Sequence, residues 1–284
     1  MATPSAPLPP TPALAPPATP VPANLLASAC IVLVRTQGPI NLGMVARLCG
    51  NFGVKDLRLV TPECEIDCPD ARKFSTHARE LLLTAPIYPD LRSAVADCGL
   101  VIGSSARTRH GEYGKGLLVQ EVPKLLSERP AALWALVFGN EADGLTETEL
   151  GACQAWIHLE TWGDNQAYNM AQSVAIAAYC IGAAGPWQPS EQPIAADRGH
   201  VDSLYRYWLE TLDRFQYFRR TNRERFAPLF EHFLARMHLS AHDVQVLRGM
   251  LAQYNYFVFG ERFDGKGVKR EVDPGNDQES MKDG

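Results

Sequence analysis

The feature that most restricts what this chain can fold into is an alternation between residues 29 and 181, without any internal sequence repeat. Short, mostly apolar runs alternate with stretches of helical spacing. Residues 29–34, 57–60, 100–103, 133–138 and 155–159 read as strands, apolar on both faces apart from Arg58 and His158 and so read as buried. Residues 43–52, 71–83, 89–96, 119–128, 147–153 and 168–181 read as helices. This alternation predicts an α/β fold with a mainly parallel sheet. Ligands of such sheets bind beyond the carboxyl ends of the strands, so the loops of interest are 35–42, 103–116, 139–146 and 160–168.

Composition marks the ends and a break. Residues 1–25 are dominated by Pro, Ala, Thr and Val and read as a disordered tail. No Lys or Arg precedes Arg35, so the positive start of a secretory signal is missing, as are the arginines of a mitochondrial presequence. The α/β domain is expected over 26–183. A linker follows over 184–197, with Gly185, Pro186, Pro189 and Pro193. A small all-helical domain is expected over 198–263, with helices at 201–218, 223–237 and 241–259, the last capped by Ser240 with Asp243. Residues 264–284 read as a second disordered tail. No apolar stretch is long enough to span a membrane. The seven cysteines are odd in number and several sit in apolar runs, which points to free thiols and a cytoplasmic location. Cys64 and Cys68 have no second Cys or His pair at zinc-site spacing, so no metal is expected.

Charge divides unevenly. Residues 1–197 carry 13 basic and 19 acidic side chains, whereas 198–263 carry 10 arginines and 7 acids. Arg214, Arg219, Arg220, Arg223 and Arg225 are interleaved with Phe215, Tyr217, Phe218 and Phe226. Basic and aromatic residues together make nucleic-acid contacts. They also make helix ends with core aromatics and solvated arginines, and the sequence leaves both readings open.

Glycine-rich dinucleotide and P-loop motifs are absent, as are the zinc-protease and serine-hydrolase signatures. Three other motifs stand out. The first is Pro39-Ile-Asn41-Leu-Gly43-Met-Val-Ala-Arg47-Leu-Cys-Gly-Asn51-Phe-Gly53. Asn41 reads as a helix cap and Gly53 as a helix stop. Arg47, between Ala46 and Leu48, reads as a buried guanidinium that needs an anionic partner or ligand. The second is Gly139-Asn140-Glu141-Ala-Asp-Gly144-Leu145-Thr146, closed by a capping box from Thr146 to Glu149. The third is Asn165-Gln-Ala167-Tyr168-Asn169-Met-Ala-Gln172, where a loop enters a long apolar helix.

In this order and spacing the three motifs resemble those of the SPOUT superfamily of RNA 2′-O-methyltransferases. The likeness is greatest to the bacterial branch that methylates cytidine or uridine ribose in the tRNA anticodon loop, at position 32. It covers about 28–182 and extends weakly to Leu247-Arg-Gly-Met-Leu251. The resemblance implies a sheet whose C-terminal part forms a trefoil knot, an exception to the rule against threaded chains. It also implies S-adenosylmethionine held mainly by backbone from three loops. Here those carry Ser104, Ser105 and Ala106, then Gly139, Glu141 and Gly144, then Leu159, Ala167, Tyr168 and Asn169. Where the family has Ser-x-Asn this chain has Ala167-Tyr168-Asn169, and Asn140 stands where an Arg is common.

By the same resemblance the catalytic residues are Arg47 and Asn41, with the site completed across a homodimer. RNA contacts fall to Arg107 and Arg109 beside the cofactor and to Arg219, Arg220 and Arg223 in the helical domain; tRNA is the partner, with no DNA and no membrane. Arginine is a poor general base at neutral pH, so Arg47 is expected to stabilise developing charge on the 2′-oxygen. Two alternatives are the same chemistry on ribosomal RNA and a knotted RNA-binding protein without catalysis, the latter favoured by Ala167.

Overall fold

The computed structural model describes residues 24–105, 116–184, 193–219, 221–259, 261–263 and 269–271. Most of the two expected tails and of the expected linker lies outside them, as do Ala106, Arg107, Arg109 and Arg220.

The chain alternates as its apolar runs predict. β1 (Ala29–Val34) leads to α1 (Pro39–Phe52), and β2 (Asp56–Val60) to α2 (Pro69–Ser75) and α3 (Arg79–Leu83). Then come β3 (Ile87–Tyr88), α4 (Leu91–Ala94), β4 (Leu100–Ser104), β5 (Leu117–Leu118), α5 (Val122–Glu128) and β6 (Trp134–Phe138). α6 (Glu147–Gly151), β7 (Ala155–His158) and α7 (Met170–Gly182) complete the unit. The strands form one sheet in the order β3-β2-β1-β6-β4-β7-β5, and every pairing in it is parallel.

Each central strand is buried on both faces. In β1, Ala29, Ile31 and Leu33 join a core with α1, α5 and α7. Cys30, Val32 and Val34 join a second core with α4 and α6. Alternate side chains point to opposite faces, so an all-apolar strand is what a sheet covered on both sides requires. α1 ends at Gly53, whose φ of 75° is left-handed and whose N–H bonds the Cys49 carbonyl. Within α1, a Cβ on Gly43 would lie 2.5 Å from the Ala71 carbonyl oxygen, so only glycine lets α2 approach this closely.

The expected helix over 71–83 is broken. α2 stops at Thr76, with φ 49° and ψ −117°, and α3 begins after a single 3-10 turn. Strands β3 and β5 have two residues each, too few for a periodicity to register.

The C-terminal helices are α8 (Arg198–Arg214), α9 (Arg223–Arg236) and α10 (Ala241–Phe259). They share a small core of their own around Leu204, Leu234, Leu239 and Val244. Ser240 accepts from the Asp243 N–H at 3.2 Å, the cap expected from sequence. Backbone bonds tie α8 to the sheet region, from Arg198 to the Cys98 carbonyl and from Gly199 to the Ala96 carbonyl. Beside them the Arg198 guanidinium, 1% exposed, bonds Asp202 at 2.8 Å and Glu231 at 2.6 Å, and Arg92 reaches the same two acids. Beyond α10, β8 (Glu261–Phe263) and β9 (Lys269–Glu271) pair antiparallel.

Candidate active site

A cavity of about 500 Å³ opens beyond the carboxyl ends of β4 and β6. Ser104, Ser105, Gly139, Glu141, Gly144, Ala167, Tyr168 and Asn169 all line it. Leu159 lines an adjoining recess of about 50 Å³ with Ser105 and Tyr168. Three loops far apart in sequence therefore meet where the alternation places them.

The 139–144 loop is shaped by its own backbone. Asn140 accepts through its side chain from the N–H groups of Ala142 and Asp143, and its carbonyl accepts from the Gly144 N–H. A Cβ on Gly139 would fall 2.0 Å from the Gly144 carbonyl carbon, so no other residue fits there. Gly144 itself has φ 70°.

Glu141 reaches from this loop to the start of α1. One carboxylate oxygen accepts from the Asn41 amide at 2.9 Å and the Gly38 N–H at 3.1 Å. The other accepts from the Gln37 N–H at 3.0 Å. Partial burial pushes this carboxyl up, yet the bonds from Asn41, Gln37 and Gly38 outweigh it and hold Glu141 below the usual carboxylate range. Asn41 is not the expected cap. The cap residue is Gly38, which makes no side-chain bond, and Asn41 lies one turn inside the helix. Its amide instead links two loops, because its oxygen accepts from Asn169 at 2.9 Å. Asn169 in turn caps α7 through the Ala171 N–H. The result is a continuous chain, Asn169 to Asn41 to Glu141, along the cavity wall.

Arg47 is elsewhere. The expected buried guanidinium is solvent-exposed and has no ion-pair or hydrogen-bond partner among the described residues. It stands six residues beyond Asn41, about 9 Å further along the helix and turned well away from it. There it lines a separate groove with Lys55 and His77. Within one chain Asn41 and Arg47 are not brought together. In the helical region Arg219 is exposed, while Arg223 bonds Asp213 at 3.3 Å and lies 5.9 Å from the Phe218 ring.

Sequence reasoning missed Arg35. It leaves β1 with a left-handed φ of 51°, which aims its side chain at the 139–144 loop. The guanidinium donates to the Gly144 carbonyl at 3.0 Å and pairs with Glu149, which also closes the Thr146 capping box. The partners are more than a hundred residues apart, so no local pattern announces them. The cysteines are unpaired, and no cluster of metal ligands occurs among the described residues.

A family model described as the SpoU rRNA Methylase family matches residues 28–179. The chain belongs to that family. The match spans β1 through α7 and so includes every loop of the cavity. A tRNA (cytidine/uridine-2′-O-)-methyltransferase TrmJ of Yersinia enterocolitica is 31% identical over 231 residues, covering 78% of this chain and 89% of that protein. The protein of the same name from Sodalis glossinidius is 28% identical over 239 residues, covering 80% and 91%. Among solved structures, TrmJ from Z. mobilis ZM4 aligns with a TM-score of 0.68 at 25% identity, over 80% of this chain and 99% of that one. A methylase family protein from Neisseria gonorrhoeae aligns at 0.56 with 27% identity, over 68% and 98%. The family membership bears out the SPOUT resemblance. No helix among the described residues is long and apolar enough to cross a membrane.

Proposed function

We propose that this protein transfers a methyl group from S-adenosylmethionine to a ribose 2′-hydroxyl of tRNA, at the cytidine or uridine of anticodon-loop position 32. The observation that carries the reading is the Asn169–Asn41–Glu141 chain, which couples the backbone-walled cavity to the helix that bears Arg47. The tRNA substrate is what the TrmJ relatives are named for, and a cytoplasmic location is the one that accords with it.

The cavity fits the cofactor. Its volume lies in the range of small-molecule sites, about 300–1,000 Å³. Small residues such as Ser104, Ser105, Gly139, Gly144 and Ala167 line it beside the larger Tyr168, and at Gly139 a Cβ would collide with the loop. Ser104, Ser105, Gly139, Glu141, Gly144, Leu159, Ala167, Tyr168 and Asn169 would hold the group, and Ala106, next in sequence after Ser105, is proposed with them. When bound, it supplies an electrophilic methyl on sulfur. Glu141 and Asn169 keep α1 in register with the cavity. Arg47 stabilises negative charge growing on the attacking 2′-oxygen. The proton leaves to water or phosphate.

An exposed Arg47 set apart from its own chain's cavity fits a homodimer, in which each Arg47 serves the partner's cavity. We assign residues 26–183 to the catalytic unit, with its C-terminal part a trefoil knot, and 198–263 to a helical unit that grips tRNA through Arg219, Arg220 and Arg223. Arg107 and Arg109 would contact RNA beside the cofactor.

The test is methylation of unmodified total tRNA with labelled S-adenosylmethionine, followed by mapping of the modified ribose. Label at position 32 is expected. Label in ribosomal RNA alone would favour the second reading, for which the family's description speaks. No transfer and no calorimetric heat with S-adenosylhomocysteine would leave only RNA binding, the reading that Ala167 favours.

A further inference from the structure

The groove beside Arg47 contributes one residue to the reading above, and the rest of it has chemistry of its own. It encloses about 840 Å³ between the second half of α1, the turn before β2 and the break between α2 and α3. Arg47, Lys55 and His77 line it, with Glu80 the one acid among the lining residues. All three basic side chains are exposed, and none has an ion-pair or hydrogen-bond partner among the described residues. By contrast, four arginines of the sheet region are engaged by acids: Arg35 by Glu149, Arg58 by Asp56 and Asp97, Arg72 by Asp67, Arg92 by Glu231. In a region with 19 acids against 13 Lys and Arg, two unengaged cations against the single acid Glu80, with the His77 imidazole beside them, leave this concavity net positive.

The backbone supports this placement. Thr76, on the groove wall, has φ 49° and ψ −117°, a conformation that strains a β-branched residue. That strain makes the turn that breaks the helix and puts His77 on the groove. Backbone strain held against a cheaper alternative is characteristic of binding sites. The groove also presents the neutral donor Asn51. Cations and amides around an open concavity suit a phosphodiester, which offers only acceptors.

We infer that this groove carries the RNA backbone on one flank of the target ribose. Arg47 marks its reactive end, and Lys55 and His77 take phosphates further along. The inference rests on the methyltransferase reading and adds where the substrate strand runs. Each phosphate neutralised releases counterions, so each contact contributes about 0.7–0.9 to the salt slope of binding.

The experiment uses the full chain with Lys55→Ala and His77→Ala combined, leaving Arg47 intact. Binding of an unmodified tRNA transcript is measured across a range of KCl concentrations. The expected result is a Kd raised about tenfold at low salt and a log–log slope flattened by about 0.7–0.9, the share of the Lys55 charge, with the His77 donor adding to affinity rather than to slope. Affinity for S-adenosylhomocysteine and sedimentation should match the wild type, and Lys55→Arg should bind as the wild type does. An unchanged slope in the double variant overturns the inference. So does a change in sedimentation that accounts for the lost binding, since the groove would then be an interface between copies of the chain. A wild type that binds tRNA with a steep slope but transfers no methyl would sink the catalytic reading and leave the groove standing. A wild type that methylates, beside a variant with an unaltered slope, sinks the groove alone.

Discussion

The cavity beside Glu141 and the groove beside Arg47 lie along the same helix, yet their polar groups are organised in opposite ways. In the cavity, side chains are spent on one another: Asn169 on Asn41, Asn41 on Glu141, Asn140 on its own loop. What the loop offers a ligand is then largely a shape fixed in advance. In the groove the Arg47 and Lys55 side chains have no ion-pair or hydrogen-bond partner among the described residues and remain for a ligand. A preorganised backbone surface suits one small molecule of fixed shape. Loose cations suit a polyanion whose phosphates are everywhere alike. The difference separates recognition of the cofactor from recognition of RNA, and α1 connects them.

The sharpest break in that comparison is Arg47→Ala. It should lower methyl transfer by about a thousandfold or more, the upper range for removing a group that stabilises transition-state charge. S-adenosylhomocysteine binding should persist, because Arg47 does not line its own chain's cavity and acts on the 2′-oxygen rather than on the cofactor. Arg47→Lys should also fail, since a point charge does not replace a planar fork. Single-turnover assays beside calorimetry check both; turnover near normal in either variant removes Arg47 from the chemistry.

Arg35→Ala should act on the other half. Its guanidinium joins β1 to the Gly144 carbonyl and to Glu149, and both side chains of the pair are mostly buried, at 22% and 16% exposure. Its loss leaves Glu149 and the loop carbonyl short of a donor. Cofactor affinity should weaken about tenfold, or 1.4 kcal/mol, with kcat at saturating cofactor little altered. A fall in kcat at unchanged affinity would contradict this division of labour.

Glu141→Gln is expected to do less, and to do it in a pH-dependent way. The folded-state pKa of Glu141 is depressed, so its contribution to stability is present above the unfolded value and is lost as pH falls through the folded one. The substitution should cost about 1 kcal/mol at neutral pH, a low figure because the carboxylate is solvent-exposed. It should also flatten the acid limb of the stability–pH curve below about pH 4.5. Denaturant melts at several pH values read both effects.

The strands and the cavity loops were legible because they depend on short-range pattern. Uniformly apolar strands reveal two covered faces, and Gly53, Ser240 and the Thr146–Glu149 box each close a local bond. What escaped depends on residues distant in sequence. Asn41 has the chemistry of a cap, but Glu141, a hundred residues away, satisfies the N–H groups at that helix start. Arg47 was expected to be buried from its neighbours Ala46 and Leu48, although adjacency is not facing in a helix. Leu42, Val45, Ala46 and Cys49 define the buried stripe, and position 47 falls outside it. The break at Thr76 has no Pro or Gly to mark it.

The smallest expected effect concerns the helical unit, where Arg219 and Arg223 are close in sequence but differ in engagement. Arg219 is exposed, whereas Arg223 is bonded to Asp213 and set near the Phe218 ring. If the unit grips tRNA by free charge, as the groove is inferred to do, Arg219→Ala should weaken tRNA binding three- to fivefold and reduce the salt slope by about 0.7–0.9. Arg223→Ala should change the slope less, because Asp213 already neutralises that charge. It should instead cost up to about 1 kcal/mol of stability, the range for an exposed ion pair. Anisotropy titrations with tRNA and thermal melts on the same variants separate the two. Equal slopes for both would mean that Asp213 yields Arg223 to the RNA, and identical binding to the wild type would leave the unit to extend the dimer instead.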